Sequence, residues 1–172
     1  MLRPRTLLPF LAGIFLCRPV VAEELQAGAA IVEITPPVGD AMWGYAARKD
    51  APSTGVRDPL KARALVLGVG KERLALVSLD LGRAPTRASM DAIRAKVKAG
   101  GVGNVLVVAS HMHHGPVIEL DNWPTPKRSY VRQLEDKLAD IILMANKNLR
   151  PARRGVEGSG ARGPRLAACA SR

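Results

Sequence analysis

Apolar residues in this chain gather into stretches of two kinds, and each kind predicts a different element. The first kind is short, rich in Val, Ile and Leu, and bounded by turn residues. Gln26 to Thr35 (QAGAAIVEIT) is the earliest, closed by Pro36, Pro37 and Gly39, which cannot continue a sheet ladder. Lys61 to Val69 (KARALVLGV) and Arg73 to Leu79 (RLALVSL) come next, and Gly70-Lys71 between them suits a tight antiparallel hairpin. Polar–apolar alternation is weak in both, which predicts central strands covered on both faces. Asn104 to Ala109 (NVLVVA) is a fourth strand.

The second kind repeats at the helical period. Met90, Ile93 and Val97 form a stripe on a helix from Pro85 to Ala99, with Pro85 near its first turn and Gly100-Gly101 as its stop. Tyr130, Leu134, Leu138, Ile141, Ile142 and Ala145 form a longer stripe from Ser129 to Leu149, ended by Arg150-Pro151. A strand, a helix and a strand within a short span imply a right-handed parallel crossover. Asp80, after the third strand, and His111, after the fourth, then share the carboxyl edge of the sheet, where open α/β sheets bind ligands. The predicted class is α/β: a mixed sheet with an antiparallel hairpin and a β-α-β crossover, flanked by helices and forming a partial domain. Asp40 to Pro59 and Leu120 to Lys127 show no period and read as loops.

Composition divides the chain into three. Residues 1–22 carry a basic start (Arg3, Arg5), an apolar run from Leu7 to Cys17, and Val20-Val21-Ala22 before a cut near Glu23. That is the layout of an export signal, and the run is short against the roughly 20 residues a span needs. The expected location is secreted or periplasmic. Cleavage would remove Cys17 and leave Cys169 alone, so no disulfide framework is expected. Residues 23–150 hold the predicted elements. Residues 151–172 are a basic Gly/Ala/Arg tail with one β-branched residue, Val156, and no aromatic. Such a segment buries too little to offset its chain entropy and reads as disordered. A shifted reading frame in a GC-rich gene would also give this composition. The formal charge of +11 sits largely in the two ends, and no basic stripe interleaved with aromatics crosses the body. Nucleic acid is therefore not an expected partner.

All three histidines of the chain, His111, His113 and His114, lie within four positions at the end of the fourth strand. Metal binding needs neutral imidazoles within about 2.0–2.1 Å of one ion. On an extended backbone His111 and His113 address one side, and His114 faces elsewhere unless Gly115-Pro116 turns the chain. The competing reading is three solvated or capping histidines in a surface loop. Asp80, Glu119 and Asp121 are the nearby acids, and none has a diagnostic spacing. Asp80 has two readings, a functional acid or a cap and loop hydrogen-bond acceptor. Trp43 has two as well, lining a pocket or plugging one end of the core.

Several ordered segments together carry a resemblance: AGAAIVEITPPVG, the Met42-Trp43-Gly44-Tyr45 turn, LKARALVL, ERLALVSLDLG and Ser110-His111-Met112-His113-His114-Gly115-Pro116. Over roughly Ala27 to Leu149 the chain resembles the N-terminal part of the neutral/alkaline non-lysosomal ceramidases, whose segment has the form T/S-H-T-H-S-G-P. The resemblance implies a zinc amidohydrolase that cleaves the N-acyl bond of ceramide to sphingosine and a fatty acid. Zinc would be the cofactor, His111 a zinc ligand and His113 a neighbouring active-site imidazole on the substrate side. A ceramide-like lipid would be the substrate, and contact with a membrane surface is compatible with it. His114 stands where the family has a small Ser. The family's remaining ligands, a second His, a Glu and a Tyr, lie beyond the end of this chain, which predicts a truncated member, inactive alone. The alternatives are an exported metal-dependent hydrolase of another amide or ester, and a non-catalytic exported binding module.

Overall fold

The computed structural model describes residues 23–49, 51–118, 129–153 and 155. The expected export signal, Glu119, Asp121, Trp123, both cysteines and nearly all of the tail lie outside the described residues. The elements run β1 (Gln26–Glu33), a 3-10 turn (Ala46–Arg48), β2 (Lys61–Val69), β3 (Glu72–Leu79), α1 (Arg87–Lys98), β4 (Asn104–Ala109), α2 (Ser129–Lys147) and β5 (Arg150–Pro151). They form one sheet in the order β4-β3-β2-β1-β5.

The predicted hairpin and crossover are both present. β2 and β3 pair antiparallel up to Val69 opposite Glu72, and Gly70 turns the chain at φ 54°, a conformation that costs a glycine little. β3 and β4 pair parallel, with Leu79 opposite Ala109. Asp80 and His111 therefore leave the sheet at one edge, as the crossover requires.

Boundaries differ for local reasons. β1 stops at Glu33 because the next two residues bond irregularly to Leu60. The Ile34 N–H donates to the Leu60 carbonyl at 2.8 Å, and the Thr35 hydroxyl accepts the Leu60 N–H at 2.9 Å. α1 starts at Arg87, two residues after the predicted Pro85, because the Thr86 side chain accepts the Ser89 N–H and so caps the first turn. Arg150 and Pro151, expected only to end a helix, pair with Ala27 and Gln26 as an edge strand. Pro151 is tolerated there because an edge position need not donate to the ladder.

Both helices lie on one face of the sheet. Met90, Ile93 and Val97 of α1 and Leu134, Leu138, Ile141 and Ile142 of α2 are buried in a single core with Ala62, Ala64 and Val66 of β2 and Ala75, Val77 and Leu79 of β3. The other face carries Ile31, Leu74, Leu106 and Val108, which are exposed, and Leu65, Leu67 and Leu76, which are half-buried. The expected cover on both faces is thus corrected: among the described residues β2 and β3 are covered on one. Weak alternation arises because both faces are apolar. Small Ala and Val side chains meet the helices, and larger Leu side chains point to the open side.

Tyr130 closes the core near the loop end. Its hydroxyl donates to the Ile34 carbonyl at 2.7 Å, and burial, then the nearby Asp40 carboxylate, raises its pKa well above the ordinary tyrosine range. A raised folded-state pKa means the folded form keeps a proton that the unfolded chain sheds above about pH 10. Stability from this group is whole below that pH and declines above it. Tyr130→Phe should flatten the loss of stability above pH 10 while costing about 1 kcal/mol at neutral pH. Urea unfolding at pH 7 and at pH 10.5 would check both.

Candidate functional site

β4 delivers the histidine segment to the carboxyl edge, where the Ser110 N–H donates to the Leu79 carbonyl at 2.9 Å. His111 then takes φ 60°, a left-handed conformation that costs a non-glycine residue about 1–2 kcal/mol. This bend swings its ring toward the loop after β3. His111 Nδ1 lies 3.0 Å from the Gly82 carbonyl oxygen. A carbonyl only accepts, so Nδ1 carries the proton, and in the neutral ring Nε2 is the nitrogen with the lone pair.

The loop before β2 closes over the histidines from the other side. Trp43 N–H donates to the Gly115 carbonyl at 2.9 Å and Val117 N–H to the Ala41 carbonyl at 2.8 Å. Residues 41–43 are thereby fixed antiparallel to 115–117. The Trp43 ring meets His111 edge-on at 5.0 Å between centroids and His113 at 4.9 Å. Tyr45 meets His113 at 5.1 Å and His114 at 5.6 Å. His111 and His113 are 5.2 Å apart. Trp43 is therefore a shelf for two imidazoles, a role neither reading of it from sequence named.

Two glycines make this packing possible. A Cβ on Gly82 would overlap the Trp43 indole, and one on Gly44, which has φ 124°, would overlap His113. Gly82→Ala should cost about 1–3 kcal/mol by overpacking and push Trp43 off His111. Thermal unfolding and tryptophan fluorescence would register the two effects separately.

Asp80 takes the acceptor role. Its carboxylate accepts the Lys61 N–H at 3.0 Å and the Arg63 guanidinium at 2.9 Å, tying the sheet edge together. It also lines a cavity of about 470 Å³ with Asp40, Arg57, Asp58, Met112 and His114. His111 and His113 do not line that cavity. Met112 and His114 line the cavity, while His111 and His113 pack against Trp43.

The donors fit one coordination position of a zinc site and not a whole site. His111 suits a ligand, since an imidazole whose second nitrogen is held by a carbonyl is the usual arrangement around zinc. Among the described residues, however, no group of three or more His, Cys, Asp or Glu side chains is placed to hold a metal ion. Glu119 and Asp121 lie outside the described residues. Tyr45, Arg48, Gly44 and Gly82 shape the site without any periodic signal, although Gly44 and Tyr45 belong to the turn motif quoted above.

No protein-family model matches the chain, and no curated protein matches it significantly. Solved structures do. Neutral ceramidase from Pseudomonas aeruginosa is 25% identical with a TM-score of 0.65, over 76% of this chain and 23% of that one. A ceramidase complexed with C2 is 24% identical with a TM-score of 0.58, over 76% of this chain and 22% of that one. This chain thus spans less than a quarter of the ceramidase chains it matches, and its fold is ceramidase-like.

Proposed function

We propose that this chain is part of an exported, zinc-dependent, ceramidase-type amidohydrolase unit that cleaves the N-acyl bond of a ceramide-like lipid and is inactive by itself. The observation that carries the reading is the hydrogen bond from His111 Nδ1 to the Gly82 carbonyl. With Nδ1 engaged and His111 exposed, Nε2 is the nitrogen left for a metal held jointly with further donors. His113, set beside it on the Trp43 and Tyr45 rings, would orient the substrate amide. The reading of inactivity is supported by the described residues holding no group of three or more His, Cys, Asp or Glu side chains placed for a metal ion. Export rests on the basic start and apolar run of residues 1–22. No helix among the described residues is long and apolar enough to cross a membrane.

The cavity beside His114 favours a second reading, another amide or ester with a polar or charged group. Its lining includes Asp40, Arg57, Asp58 and Asp80, more charge than two hydrocarbon chains call for. Release of fatty acid from a fluorescent ceramide, and of acid from short polar amides, would be measured with zinc present. The proposal expects zinc to bind through His111 and neither substrate to be turned over by the chain alone. Turnover of polar amides only would install the second reading. Brisk ceramide hydrolysis by this chain would contradict the inactivity.

A further inference from the structure

The segment 41–43 pairs with 115–117 for two hydrogen bonds and then stops. A continuing ladder would have the Gly115 N–H donate to the Trp43 carbonyl and the Tyr45 N–H donate to the His113 carbonyl. Gly44, at φ 124°, turns the chain out of register before either bond forms. The two carbonyls are taken over by one side chain. Arg48 Nη1 donates to the Trp43 carbonyl at 3.1 Å and to the His113 carbonyl at 2.8 Å.

Arg48 is placed for this by its own short element. Ala46–Arg48 forms a single 3-10 turn that Lys49 closes in the left-handed conformation at φ 50°. The guanidinium carbon then sits 5.1 Å from the Tyr45 ring centroid, within reach of a cation–π contact. Tyr45 is the same ring that packs on His113 and His114. Arg48 thus holds His113 twice, through its backbone carbonyl and through the aromatic ring against its imidazole.

We infer that Arg48 is the positioning residue for His113, a charged bridge that replaces the missing rungs between the two loops and fixes the imidazole beside His111. His111 needs no such bridge, because the Gly82 carbonyl already holds it. The inference rests on reading His113 as an active-site imidazole. Its test reads geometry without zinc or substrate, so a failed ceramidase reading leaves the test intact.

The chain contains only three histidines, all in this segment, so proton NMR of imidazole signals reports the site without background. Arg48→Met keeps the apolar stem and removes the donors, while Arg48→Lys keeps one donor group with three N–H bonds. In Arg48→Met the His113 ring protons should lose the shifts imposed by Trp43 and Tyr45 and move to free-histidine positions. His111 ring protons and the amide signals of β1 to β4 should stay in place. Arg48→Lys should recover at least half of the His113 shift. The inference is overturned if Arg48→Met leaves the His113 signals unmoved, or moves the sheet amides with them, or if Arg48→Lys behaves as Arg48→Met does.

Discussion

Leu138→Ala should lower the stability of the protein by about 2–5 kcal/mol, while Leu106→Ala should change it by less than about 0.5 kcal/mol. Both residues are leucines in regular elements, but their surroundings differ completely. Leu138 of α2 is fully buried in the core against the sheet, so truncation removes transfer energy and leaves a cavity in that core. Leu106 projects from β4 on the open face and is 55% exposed. A domain of this size has roughly 5–15 kcal/mol in all, and here one sheet face contributes nearly all of the burial. The loss at Leu138 is therefore a large share of the total. Urea unfolding followed by circular dichroism measures both variants. Equal losses would mean that the leucine face is covered after all.

His111→Ala should carry the largest functional effect, weakening zinc binding at least tenfold, which is about 1.4 kcal/mol. His111 alone combines an accessible ring with a nitrogen held by a carbonyl, so its Nε2 needs no rearrangement before binding. His114→Ala should have little effect, because that ring faces the cavity and not Trp43. Calorimetric zinc titration of the two variants beside the parent chain gives the comparison. Equal weakening by both would mean that zinc binds the loop without preference.

The helical stripes were legible because burial enforces a 3.6-residue period, and every predicted core position on α2 from Tyr130 to Ala145 is buried. Placing Asp80 and His111 at one edge needed only the parallel crossover. The one-sided cover was not legible, because weak alternation in KARALVLGV and RLALVSL is produced equally by two covered faces or by one covered and one bare leucine face. The role of Asp80 was ambiguous for a similar reason: an acid after a strand looks the same until Arg63 and the Lys61 N–H are seen to claim it. Arg48 left no trace at all. Its two acceptors lie five and 65 residues away, and a contact between loops has no period. The left-handed bend at His111 is likewise hidden, since a histidine gives no advance sign of positive φ.

Long-range nitrogen NMR of the three imidazoles during a zinc titration reads out whether His111 offers Nε2 as a metal donor while Gly82 holds Nδ1. His111 should begin in the Nδ1–H form, and its Nε2 signal should move with zinc before any nitrogen of His114. A proton on His111 Nε2 in the free protein, or a titration in which His111 is the imidazole that does not respond, would contradict that assignment.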